Sequence, residues 1–210
     1  MKHLLLLLLV LPSVVLSDEI APLKAALQKQ AKHKSVEVTF RQTKKSPALA
    51  DEIKTMGKLW LLPGKAFRWE MGQPARQTVI YNGDDVLVLD EKKKTGKRLS
   101  PDDKQVKPLF LTLGMGNDAS FDGLSKAFHI AGTDQKNGRF AASFTPKVRS
   151  IKKMIKSLLM QVNLETSFIQ RIGWVQRDGT EAMTEFFEPT INKGIPAQRF
   201  VIDEKAYTWE

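Results

Sequence analysis

The stretch from Gly57 to Asp90, GKLWLLPGKAFRWEMGQPARQTVIYNGDDVLVLD, limits what this chain can fold into more than any other. Pro63-Gly64 breaks a first apolar strand, Phe67-Arg68-Trp69-Glu70 makes a short aromatic one, and Pro74 ends it. Proline has no N–H to offer a ladder, and glycine supplies the positive φ of tight turns, so these residues mark strand ends. Asn82-Gly83, between QTVIY and DVLVLD, has the chemistry of a type I′ hairpin turn. Strands this short, joined by turns this tight, pair as an antiparallel meander. The stretch holds no catalytic motif.

The same period of two runs on either side. Val36, Val38 and Phe40 share one face of the segment Ser35 to Gln42, and Glu37, Thr39 and Arg41 share the other. Leu59 and Leu61, then Phe67 and Trp69, then Val79 and Tyr81 repeat the apolar positions in the strands that follow. These nine side chains are the candidate lining of an apolar cavity. Glu91 to Lys97 reads as a hairpin tip turning at Thr95-Gly96. AFHIAGT, RFAASFT, LLMQVN, FIQRIGWVQ and TEAMTEFFE are later strands, with Arg177-Asp178-Gly179 turning between the last two, and FVID is the final strand.

Helical spacing interrupts this pattern in three places. Ile20, Leu23, Leu27 and Ala31 make one face of a helix from Ile20 to Lys32. Val106, Leu109, Phe110 and Leu113 make another, which Gly114 and Gly116 break before Phe121, Leu124 and Phe128. Val148 to Met154 is a short basic helix. The prediction is a mostly antiparallel β fold of about ten strands, a sheet long enough that it must curl or split. The helices at 20–32 and 102–128 are the pieces available to cover its concave face, with Leu109, Phe110 and Leu113 as lid residues.

Lys2 and His3 before the apolar run Leu4 to Leu11, with small residues at Val15 and Ser17, form an export signal cleaved after Ser17. The run is too short to span a bilayer. The remainder, 18–210, suits one domain. With no cysteine in 210 residues the chain has no disulfide, no thiolate metal site and no thiol to lipidate. The expected product is a soluble periplasmic protein. Its formal charge of +10 would suggest nucleic acid in a cytosolic protein. An exported one meets anionic lipid head groups and acidic proteins instead.

Four chemical readings find little support in these residues. Gly114, Gly116 and Ala119 fit the G-x-G-x-x-A dinucleotide fingerprint, but no strand–helix–strand unit surrounds them, so no cofactor is expected. Only His33 and His129 follow the signal, neither with metal-site spacing, and no serine sits in G-x-S-x-G. Glu181 and Glu185 share a strand face while Glu188 does not, a pattern that fits a solvated edge better than a glycosidase pair. Trp60, Trp69, Trp174 and Phe186-Phe187 fit core and cavity lining equally well, because alternation assigns faces without saying which face is concave.

The order Phe40-x-Gln42, Gly57-x-Leu59-Trp60, Pro63, Phe67-Arg68-Trp69, Pro74 and Asn82-Gly83 resembles the periplasmic LolA-type carriers of outer-membrane lipoproteins. The resemblance is densest from 36 to 90. It implies an incomplete β-barrel, a half-barrel closed by a helical lid, whose interior takes up acyl chains without chemistry. It implies as partners an acylated lipoprotein or lipid cargo, an inner-membrane export complex and an outer-membrane acceptor, with no nucleic acid, no cofactor and a monomeric carrier. The family's Arg before the proline of the second strand, a lid latch, is replaced here by Leu62. That departure leaves open a carrier of another acylated envelope lipid of glycolipid type, or a lipoprotein-sensing envelope-stress protein.

Overall fold

The computed structural model describes residues 19–103, 106, 109, 110, 113 and 121–210. The expected export signal and the glycine break at Gly114-Gly116 lie outside them. In chain order the elements are α1 (Ala21–Ala31), β1 (Val36–Lys45), β2 (Ile53–Leu62), β3 (Ala66–Met71), β4 (Gln77–Tyr81), β5 (Val86–Asp90) and β6 (Thr95–Leu99). Then come α2 (Phe121–Ala127), β7 (Phe128–Lys136), β8 (Arg139–Pro146), α3 (Arg149–Lys152), β9 (Ile155–Asn163), β10 (Ile169–Gln176), β11 (Glu181–Ile191) and β12 (Thr208–Trp209).

The described strands form one sheet in the order β12-β6-β5-β4-β3-β2-β1-β11-β10-β9-β8-β7. It is two antiparallel meanders, β1 to β6 and β7 to β11. They are fused where β1 runs against β11, from Val36 opposite Ile191 to Lys45 opposite Glu181. A bulge interrupts that seam between Glu37 and Thr39. Pro189 lacks the N–H for a regular ladder there, and Glu188 takes a φ of 57°. The first strand and the last are not neighbours, so the sheet stays open.

Laid flat, twelve strands would span about 50 Å. Yet Leu99 of β6 and Phe140, Met160 and Ile172 of β8, β9 and β10 belong to one apolar core, shared with Leu23, Ala26 and Leu27 of α1. Only a curled sheet wrapped round its helices brings those residues together. The half-barrel read from the sequence is therefore the architecture, with a mostly antiparallel sheet and few helices.

Three local expectations are corrected. Of Asn82-Gly83 only Gly83 has positive φ, and the loop has four residues because Tyr81 pairs with Val86. The Asn82 side chain instead accepts the Asp84 N–H at 3.2 Å, building a wider turn. A two-residue turn with both φ positive does occur, at Asn137-Gly138 between β7 and β8. Thr95-Gly96 lies inside β6; the turn comes earlier, where the Asp90 carboxylate accepts the N–H groups of Lys92 and Lys93 and Lys94 adopts a φ of 55°. FVID is not a ladder strand, and the terminal strand is Thr208-Trp209, parallel to β6.

Candidate functional site

Alternation divides the sheet into two faces with different neighbours. Val36, Val38, Phe40, Leu59, Leu61, Phe67, Trp69 and Val79 are all buried in the core on the concave side, and Tyr81 packs against it half-buried. Trp60 and Ala66, with Leu62 beside them, face the other way and pack on Phe200. Ile80, Leu87 and Leu89 are covered on that same convex side by Ile202, Tyr207 and Trp209. Leu62 thus stands on the face opposite the core that holds Phe110 and Leu113.

Two groups of residues fill the concave face beside the first meander. α1 contributes Leu23, Ala26 and Leu27; Val106, Phe110 and Leu113 join the same core. The Phe110 ring meets Tyr81 edge-on at 4.8 Å and Phe67 at 5.7 Å. Phe40 lies 4.6 Å from Trp69, and Phe186 closes on both rings at about 6 Å.

Between this packed half and the second meander lies a cavity of about 670 Å³. Of the sequence-predicted residues, Trp69, Val79 and Leu109 stand on its wall. The other seven cavity residues and the lid pair Phe110 and Leu113 belong to the adjoining core, outside that wall. The rest of the apolar wall is Met71, Phe128, Met154, Ile155, Leu158 and Trp174. Most of these come from the second meander and its helices. Their alternation was visible, but nothing in the sequence said that this face would meet the first.

The polar wall residues are Gln42, Gln77, Gln176, Lys153, Arg177 and Asp178. Gln42 donates to the hydroxyl of buried Thr184 at 3.2 Å. Gln77, Lys153, Arg177 and Asp178 are exposed, so they mark where the cavity meets solvent. The Asp178 carboxylate accepts the Thr180 N–H at 2.9 Å; that bond, with help from the Thr180 hydroxyl, holds its carboxyl below the usual range. No titratable side chain stands among the buried wall residues Trp69, Val79, Phe128, Ile155 and Leu158. Such a site can bind apolar chains by removing them from water.

The three glutamates of β11 do not converge. Glu185 lies on the convex side between Arg41 and Arg171. The Arg41 hydrogen bond, and then the Arg171 charge, outweigh partial burial and keep its carboxyl below the usual range. Glu181 is exposed, and Glu188 occupies the bulge. Among the described residues no cluster of histidine and carboxylate side chains could hold a metal ion.

The family model described as outer membrane lipoprotein carrier protein LolA matches residues 31–203. Among solved structures, an uncharacterized conserved protein from Thermus thermophilus superposes with a TM-score of 0.54 at 8% identity, over 90% of this chain and 98% of that one. A DUF1329 family protein from Desulfovibrio piger gives 0.50 at 12% identity, over 88% and 98%. A LolA superfamily protein from Nitrosomonas europaea gives 0.44 at 11%, over 85% and 96%. At these identities the likeness of the first two is one of fold. No curated protein matches the chain.

Proposed function

The chain belongs to the LolA family of outer-membrane lipoprotein carriers, and from that premise we propose that it is a periplasmic carrier of acyl chains. It binds the lipid moiety of lipoproteins in the concave cavity and shuttles it from an inner-membrane export complex to an outer-membrane acceptor. It does so as a single mature domain after loss of its export signal, and it performs no bond-breaking step.

One observation carries this reading: a cavity of about 670 Å³ whose buried wall is apolar and which opens to solvent at a polar rim. Ligand sites commonly have about this size, roughly 300 to 1,000 Å³. Each methylene taken from water contributes about 0.8 kcal/mol, so one C16 chain supplies roughly 12 kcal/mol. Several chains would bind too tightly to leave unless part of that energy opened the protein. Phe110 on Phe67 and Tyr81 is a contact that cargo would have to displace. Lifting it, with Leu109 and Leu113, would extend the wall to Phe67, Tyr81 and then to Val36, Val38, Phe40, Leu59 and Leu61. The closed lid thereby sets the affinity at a level from which cargo can still be released.

Lipid extraction of the protein purified from its host's envelope, followed by mass spectrometry, tests the proposal. Acylated lipoprotein or acyl lipid retained in about one-to-one amount supports it. Protein that emerges without lipid, and whose tryptophan fluorescence ignores added long-chain acyl ligand, would overturn it.

A further inference from the structure

The rim of the cavity is not electrostatically neutral. The segment Lys147 to Lys156 carries five cations, Lys147, Arg149, Lys152, Lys153 and Lys156, and no acid. It runs from the end of β8 through α3 into β9, and its Lys153, Met154 and Ile155 stand on the cavity wall. The turn after β10 is bonded to it. The Arg177 N–H donates to the Met154 carbonyl at 3.1 Å, and Arg177 Nε donates to the Lys152 carbonyl at 2.5 Å. These two bonds hold the guanidinium one residue away from Lys153, on the same wall.

Among the described residues neither cation is neutralised. Among the described residues Lys153 and Arg177 have no carboxylate within ion-pair distance, while the nearby rim acid, Asp178, spends its carboxylate on its own turn at Thr180. The Arg177 Nη groups take no partner among the described residues. An unpaired guanidinium fork beside an ammonium suits the oxygens of a phosphate, sulfate or carboxylate. Directly inside this pair the wall turns apolar, at Met154, Ile155 and Leu158. Charge and grease are thus arranged in the order of a chain with an anionic head.

We propose that Lys153 and Arg177 form a head-group site at the cavity mouth, which makes this protein select amphiphiles with an anionic head over neutral or zwitterionic ones of equal chain length. The proposal rests on the acyl-carrier reading and adds the class of ligand.

The test uses the mature protein and three single-chain probes below their micelle concentrations: palmitoyl lysophosphatidylglycerol, palmitoyl lysophosphatidylcholine and monopalmitoylglycerol. Tryptophan fluorescence reports binding, since Trp69 and Trp174 stand on the wall. At low salt the anionic probe is expected to bind about tenfold more tightly than the other two. The variant Lys153→Gln/Arg177→Gln is expected to bind all three with nearly one affinity. Lys153→Gln alone, which removes no hydrogen bond among the described residues, is expected to lose part of the preference without loss of fold. If the wild type binds none of the probes, the carrier reading fails and this proposal with it. If it binds all three equally, the head-group site is overturned while the carrier reading stands. Inorganic phosphate reproducing the fluorescence change by itself would make this a free-anion site and overturn the proposal. So would variants that keep their selectivity among monomeric probes but no longer sediment with phosphatidylglycerol vesicles, the behaviour of a membrane-docking patch.

Discussion

Gly57 is an ordinary extended residue in its backbone, yet no other side chain fits there. A Cβ at that position would stand 2.2 Å from Cζ of Phe40 and 2.3 Å from the Glu70 carbonyl oxygen. The glycine therefore lets the Phe40 ring lie flat across β2, where it supports Trp69 on the cavity wall. One obstacle is backbone already committed to the β2–β3 ladder, so relaxation is costly. Gly57→Ala is expected to destabilise by about 3 kcal/mol, read as a lower urea midpoint at unchanged slope. Gly173 is the control. Its Cβ would meet Cε and Sδ of Met183 at 2.6 and 3.0 Å, the movable end of a flexible side chain. Gly173→Ala is expected to cost less than about 1 kcal/mol. Equal costs would mean that the Phe40 contact does not set the glycine at 57. The sequence places Gly57 in a recognisable motif but hides this reason, because Phe40 is brought to it only by the pairing of β1 with β2.

Among the elements, the C-terminal arm was the least legible. In FVID the alternation is real: Phe200 is buried and Ile202 half-buried, while Val201 is 66% exposed. An extended segment lying on the face of a sheet shows the same period as one within its ladder, so periodicity cannot separate them. The arm is fastened by the Tyr207 hydroxyl, which donates to Glu91 at 2.8 Å, and by Arg98 on Glu204 at 3.0 Å. Burial pushes the Glu91 carboxyl up, but hydrogen bonds from Thr78, Tyr207 and Lys94 together outweigh it, leaving it below its ordinary value of 4.5. A depressed carboxyl stabilises the fold above its unfolded value and loses that contribution as pH falls through the folded one. Acidification below pH 4.5 is therefore expected to loosen the arm, seen as faster hydrogen exchange at Thr208 and Glu210, whose amides bond to Lys94 and Gly96. Glu91→Gln should bring the loosening to neutral pH at a cost of about 1 kcal/mol. Exchange at these amides that does not change with pH beyond the intrinsic rate would remove Glu91 as the fastener. The proposed lid differs in kind, because Phe110 meets the rings of Phe67 and Tyr81. Phe110→Ala is expected to speed uptake of a fluorescent acyl ligand several-fold and to raise its affinity, since the closed state competes with cargo. Unchanged uptake would mean that Phe110 does not gate the cavity.

At the scale of the molecule, the sequence disclosed one wall of the site and concealed the other. The first meander was readable because its turns are short and its alternation unbroken, from Val36 to Tyr81. Phe128 and Leu158 are legible as parts of elements but not of the cavity, and Trp174 fits core and lining alike, since their place on the wall depends on β1 pairing with β11 across some 140 residues of chain, a contact without local signature. That same closure brings cationic α3 and the Arg177 turn to the mouth, while the remaining positive charge is spread along a sequence of formal charge +10. In the proposed carrier two energies govern transport, and salt separates them. Apolar transfer from water is nearly insensitive to moderate ionic strength, whereas encounter between charged surfaces weakens once the Debye length falls to about 3 Å near 1 M salt. For an acyl ligand with a neutral head, equilibrium affinity is accordingly expected to change less than about twofold between 20 and 500 mM salt. Hand-over of the same ligand to anionic acceptor vesicles should slow by about tenfold over that range, because the basic surface steers the encounter. Fluorescence transfer from loaded protein to vesicles, at both salts, measures both quantities. A hand-over rate independent of salt would mean that dissociation of the chain into water precedes any encounter. The protein would then release its cargo by opening alone, with its positive surface taking no part in delivery.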